Sequence, residues 1–138
     1  MSKILSETIE ISVRFSEVDS MEVVWHGNYL KYFEEGREAF GRKYSIGYHD
    51  VLREKLQVPV VHSEIDYKRS LRYGDKMLVE ARFEDTPAAK IIFHYRITRI
   101  GDGTLIATGN TVQVFTNEQG ELQLLIPDFF RQWKEKWL

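Results

Sequence analysis

The sequence predicts an α+β domain in which an antiparallel sheet closes over one long amphipathic helix. Three observations lead there. Apolar and polar residues alternate from Ile9 to Phe15, the spacing becomes helical from Asn28 to about Tyr44, and alternation returns after Val58 for most of the remaining chain. With 138 residues, 43% of them hydrophobic, the chain is one domain's worth, read as a single unit over 1–138. At this length roughly two-thirds of the unfolded surface can be buried without disulfide or metal staples. A sheet with one apolar face needs a cover, and the helix of about four turns is the only large element available. The sheet is therefore expected to curl around that helix and to leave an edge for a second copy.

Each element follows from its spacing. In the first strand Ile9, Ile11, Val13 and Phe15 share one face, and Glu10, Ser12 and Arg14 the other. Residues 16–27 break the alternation with acids, a glycine and a histidine. Tyr29, Phe33, Gly36 and Phe40 form the apolar stripe of the helix, and Asn28 is a good N-cap by type. A glycine inside a helix costs about 1 kcal/mol against alanine, so Gly36 implies close approach by a strand or another backbone. Residues 45–57 read as a short second helix or an irregular excursion. Strands are expected over 60–70, 76–84, 90–100 and 104–116, with Gly101-Asp102-Gly103 as a tight hairpin and Asn117–Gly120 as a second turn. Pro127 opens a C-terminal helix whose stripe Phe130, Trp133 and Trp137 packs on the sheet or, alternatively, meets another subunit.

Composition narrows the function classes. A net charge of −2 and a pI near 6.1 argue against nucleic acid or an anionic membrane as the main partner. The absence of cysteine removes disulfides, thiolate zinc sites and a cysteine nucleophile together. No apolar run approaches the eighteen or so residues of a membrane span. The start, Met1 to Glu7, is too short and too charged for a secretory signal, and the expected location is the cytoplasm. The four histidines, at 26, 49, 62 and 94, show no close ligand spacing, so neither a metal nor a cofactor is expected.

Candidate chemistry sits between the first strand and the long helix, where rigid elements can hold a reactive loop. Asp19 and His26 flank the apolar bridge Val23-Val24-Trp25, which can be buried while both polar ends face one cleft. A carboxylate there can take a proton from water or attack a carbonyl itself. The amides from Trp25 to Tyr29 lie where a helix begins, and their free N–H groups with the helix dipole suit a developing oxyanion. Taken alone, Asp19 is equally a turn or capping residue, and His26 an ordinary histidine ahead of a helix.

The run Asp19-(six residues)-His26-Gly27-Asn28-Tyr29-Leu30-Lys31-Tyr32-Phe33-Glu34-Glu35-Gly36-Arg37, followed later by Tyr73-Gly74-Asp75, resembles the signature of the hotdog-fold acyl-CoA thioesterases. The nearest branches are the 4-hydroxybenzoyl-CoA thioesterases and the Tol–Pal-associated acyl-CoA thioesterases. The resemblance covers nearly the whole chain. It implies a curved antiparallel sheet around one helix, an acyl-CoA substrate, and a homodimer or homotetramer with sites at subunit interfaces. It places Asp19 as catalytic base or nucleophile, with Trp25 and His26 where a backbone amide polarises the thioester carbonyl. Tyr29 matches a signature position on the substrate side. Glu34 is read as the partner of Arg37 one turn on, with a catalytic carboxylate as the reserve reading. Phe33, Phe40, Val60, Val61 and Ile65 are candidates for an apolar acyl pocket, core packing being the plainer role.

Two departures from the family pattern stand out. The loop after the aspartate, often glycine-containing in relatives, reads Ser20-Met21-Glu22, adding bulk and charge. The basic cluster that meets coenzyme A phosphates is reduced to Pro87-Ala88-Ala89-Lys90, leaving Lys90 as the substrate-binding cation and Lys68, Arg69 and Arg72 as substitutes. These keep a non-catalytic acyl-CoA-binding protein open as an alternative, beside a hotdog dehydratase or hydratase acting on the same thioesters.

Overall fold

The computed structural model describes residues 4–138, so Met1, Ser2 and Lys3 of the charged start lie outside the described residues. Strand β1 (Ser6–Ser12) leads through a loop to helix α1 (Tyr29–Tyr44) and the short helix α2 (Tyr48–Leu52). Then come β2 (Leu56–Gln57), β3 (Val60–Tyr67), β4 (Lys76–Glu84), β5 (Lys90–Arg99), β6 (Leu105–Val114), β7 (Thr116–Asn117) and helix α3 (Asp128–Trp137). The five longer strands form one antiparallel sheet in the order β1-β4-β5-β6-β3, and β2 pairs with β7.

The centre of the sheet follows the sequence pattern residue by residue. Met77, Val79, Ala81 and Phe83 of β4, and Ile91, Phe93, Tyr95 and Ile97 of β5, are all buried on the face that meets α1. The helix lays its stripe across them. Phe33 stacks on Tyr95 at 4.4 Å between ring centroids, and Phe40 meets Phe93 edge-on at 4.8 Å. Both phenylalanines are fully buried, which contributes roughly 2–3 kcal/mol apiece. They are core, not pocket wall. Gly36 lets α1 descend onto β4, since a Cβ there would sit 3.0 Å from Cγ1 of Val79.

Three features depart from the sequence expectation. The first strand ends at Ser12; Phe15 begins a 3-10 turn and is 74% exposed. The strands after α1 do not form a simple meander, because β3 crosses to the far edge and pairs with β6. Being an edge, β3 is solvent-exposed on both faces except at Ile65, so its alternation has little to bury against within one chain. Asn28 does not cap α1 through its side chain.

The two sheet edges are treated differently. On β1 the Thr8 N–H is taken by the Glu7 carboxylate at 3.0 Å, and Ser6 O accepts from Lys43 Nζ and Tyr44 Oη, each at 3.3 Å. The outer edge of β3 carries no such covering. Helix α3 packs on the sheet: Trp133 meets Phe83 at 5.1 Å and donates through Nε1 to Tyr44 O at 2.7 Å. Lys134 pairs with Asp85 at 2.8 Å, tying the helix to the β4–β5 hairpin. Among the described residues no helix is long and apolar enough to cross a membrane.

Gly36 offers a paired test of the packing. Gly36→Ala is expected to be near neutral, because a helix-propensity gain of about 1 kcal/mol offsets the tight contact with Val79. Gly36→Leu is expected to lose about 1–3 kcal/mol through overpacking, read as a lower urea midpoint at unchanged m.

Candidate active site

The loop between β1 and α1 is a small hairpin tied to the helix behind it. Val18 and Val24 form an antiparallel bridge, and Asp19 N–H donates to Val23 O at 2.9 Å across the tip. Val24 is buried and its N–H reaches Leu71 O at 2.8 Å, fastening the hairpin to the segment before β4. The apolar bridge is thus only partly buried: Val24 is inside, while Trp25 remains 49% exposed.

Glu17 organises the base of this hairpin. Its carbonyl accepts the Trp25 N–H at 2.9 Å and Asn28 Nδ2 at 2.9 Å. Its carboxylate accepts the Arg14 N–H at 2.8 Å and the Tyr32 hydroxyl at 3.0 Å. Burial, and then the Glu17 charge beside it, push the Tyr32 phenol well above its ordinary range. Glu17 is a residue of the candidate site that the sequence pattern does not mark out. The local signal was its position three residues after Arg14, but its bonds to Asn28 and Tyr32 span 11 and 15 residues.

Asp19 sits at the hairpin tip, half-buried, with Oδ1 accepting the Met21 N–H at 2.8 Å. Its second carboxylate oxygen is left for other work. Asp19 lines an open cleft of about 590 Å³ with Phe15, Val18, Glu22, Arg72 and Tyr73. Phe15 and Tyr73 meet edge-to-face at 5.6 Å, giving the cleft an aromatic rim. Glu22 holds φ 65°, the left-handed region that favours glycine. The Glu22 side chain is therefore accommodated at a cost in backbone strain.

At the start of α1 a 3-10 turn, His26–Asn28, precedes the helix proper. The Trp25 N–H is consumed by Glu17 O, so Trp25 supplies no free amide. Among the described residues the next two N–H groups, of His26 and Gly27, have no acceptor, as expected for donors at a helix start. Gly27 lies beneath the Trp25 indole, and a Cβ there would require that exposed ring to move. The His26 side chain is exposed between Trp25 and Tyr67. Tyr29 is buried against Tyr67 at 5.2 Å, and burial raises its phenol pKa. The fold thus gathers Trp25, His26 and Tyr29 at one helix start, with Asp19 at the tip of the hairpin leading into it.

Lys90 is not part of this group. It opens β5, whereas the cleft lies near the opposite end of that strand, where Ile100 N–H bonds Lys76 O. Ten residues of extended chain separate them by roughly 30 Å. Glu34 and Arg37 do meet, at 3.7 Å. The apolar residues proposed for an acyl pocket do not line one. An apolar cavity of about 350 Å³ between α1, α2 and the sheet is bounded instead by Ile46, Val51, Leu52, Leu56, Val58 and Phe93. No group of three or more histidine or acidic side chains among the described residues could hold a metal ion.

Glu22→Gly is expected to raise stability by about 0.5–1 kcal/mol, the left-handed strain it relieves exceeding the added freedom of the unfolded chain. A thermal melt against wild type checks it.

Comparison with known proteins agrees with this architecture. YneP of Bacillus subtilis is 35% identical over 106 residues, covering 76% of this chain and 77% of its own. The acyl-CoA thioesterase YbgC of Haemophilus influenzae is 28% identical over 114 residues, covering 82% of each chain. The crystal structure of DHNA-CoA thioesterase from Staphylococcus aureus superposes with a TM-score of 0.85 at 29% identity, covering 94% of this chain and 87% of its own. Residues 13–134 match the thioesterase-like superfamily. With its antiparallel sheet laid around one long helix, the chain belongs to that superfamily and has the hotdog fold.

Proposed function

We propose that this protein is an acyl-CoA thioesterase, hydrolysing the thioester to a free acid and coenzyme A. The observation that carries the reading is the half-buried Asp19 carboxylate, with one oxygen uncommitted, on a hairpin that feeds directly into two free amides at a helix start. A thiolate is a good leaving group, so the reaction needs a positioned oxygen nucleophile and support for the carbonyl oxygen more than a strong general acid. The N–H groups of His26 and Gly27, reinforced by the dipole of the 16-residue α1, supply that support.

Asp19 acts in one of two balanced ways. As a base it takes a proton from water, whose oxygen attacks the thioester carbon; the C–S bond then breaks and the thiolate leaves with a proton. As a nucleophile its free oxygen attacks the carbon, expels the thiolate, and water cleaves the resulting anhydride. Only the nucleophile route, with water attacking the aspartyl carbon of the anhydride, can carry labelled oxygen into the Asp19 carboxylate.

The assembly belongs to the same proposal. The uncovered β3 edge is the surface through which two copies pair, as a homodimer or within a homotetramer. Lys90 serves acyl-CoA only as a residue brought by another copy, since its own chain holds it far from Asp19.

The deciding experiment is thiol release from short, medium, long and aryl acyl-CoAs. Asp19→Asn is expected to fold normally and to lose at least about 10²-fold in kcat, with His26→Ala losing less. Near-native turnover by Asp19→Asn defeats the assignment of Asp19, and an enoyl product without thiol release defeats the thioesterase reading.

A further inference from the structure

The oxyanion donors of the proposed site lie on a short turn, and a peptide unit is rigid, so whatever grips its carbonyl also aims its N–H. The carbonyl of His26 and the N–H of Gly27 belong to one such unit. His26 O accepts two hydrogen bonds: one from the Tyr29 N–H within the helix start, and one from the Tyr67 hydroxyl at 3.2 Å. The first comes with the helix. The second comes from a side chain on β3, 41 residues away in sequence.

Tyr67 is well placed for this. Its ring is wedged edge-on between Tyr29 at 5.2 Å and His26 at 6.4 Å. Its backbone is held in register opposite Ala107 of β6. It is nevertheless 50% exposed, so burial alone does not explain an aromatic residue at a sheet edge. On the other side of the same peptide unit the Gly27 N–H has no acceptor among the described residues, and the Trp25 ring lies over Gly27.

We propose that Tyr67 is a positioning residue for thioester hydrolysis: its hydroxyl anchors and polarises the His26–Gly27 peptide so that the Gly27 N–H is aimed and strengthened as an oxyanion donor. Hydrogen bonds accepted by an amide carbonyl make the N–H of that amide a better donor, because charge shifts along the chain of dipoles. Charge on the thioester oxygen grows toward the transition state, so the gain falls on kcat more than on KM. The role depends on the thioesterase reading, but the coupling between Tyr67 and Gly27 exists in the resting protein and can be measured without turnover.

Two readouts on Tyr67→Phe, which keeps the ring and removes the hydroxyl, test it. In nuclear magnetic resonance spectra of the ligand-free protein the Gly27 amide proton is expected to move upfield. In thiol-release assays kcat is expected to fall about fivefold with KM nearly unchanged, the equivalent of one ordinary hydrogen bond lost in the transition state. Tyr67→Leu serves as the packing control. If Tyr67→Phe keeps wild-type kcat while Tyr67→Leu is damaged, the ring matters and the hydroxyl does not, and the proposal is overturned. An unmoved Gly27 resonance overturns it equally. A wild-type chain that releases no thiol from any acyl-CoA instead strikes the thioesterase reading, and with it the catalytic role, while the Gly27 shift still reports on the coupling itself.

Discussion

The site hangs on the hydrogen bonds gathered by one residue, Glu17. Its carbonyl and carboxylate together accept four donors, from Arg14, Trp25, Asn28 and Tyr32, and so join the end of β1, the return of the hairpin and the second residue pair of α1. Each bond contributes only about 1 kcal/mol net, more where a charged acceptor is involved. Their joint effect is geometric. They fix how far the hairpin carrying Asp19 stands from the first turn of the helix, which is the separation any attack on a carbonyl held at that turn has to respect. Consuming the Trp25 amide also shifts the free donors one residue along, to His26 and Gly27.

The strength of sequence reading here tracked how much of each constraint was local. β4 and β5 are buried on one face only, and their alternation marks both register and boundaries within about a residue. The helix stripe is equally plain, and Gly36 signals the close approach that Val79 confirms. β3 shows the same alternation, yet it lies at an edge where neither face is sealed, so periodicity identifies the strand without locating it in the sheet. Phe15 extends the apolar pattern of β1 by one step, but the Glu17 carboxylate captures the Arg14 N–H and turns the chain first.

Within the candidate site, the sequence singles out Asp19, His26 and Tyr29 because they fall in a spaced motif beside a change of period. Glu17 and Tyr67 are not, since their partners are distant in sequence and glutamate or tyrosine is ordinary in their positions. Asn28 illustrates a different limit. Residue type alone marks it as a cap, but its amide is drawn to the Glu17 carbonyl, and the helix starts with a 3-10 turn whose leading amides stay free. A conventional cap at Asn28 would take the N–H of Leu30 or Lys31 and would leave the His26 and Gly27 amides as they are.

The unequal finish of the two sheet margins makes strand addition costlier at one than at the other. On β1 a carboxylate, an ammonium and a phenol already occupy backbone groups that an incoming strand would require. On β3, the edge strand beside β6, no side chain among the described residues occupies them. A strand approaching β1 would first have to displace those side-chain bonds at Ser6 and Thr8. Two of the three side chains that stand in its way, Lys43 and Tyr44, belong to the last turn of the long helix.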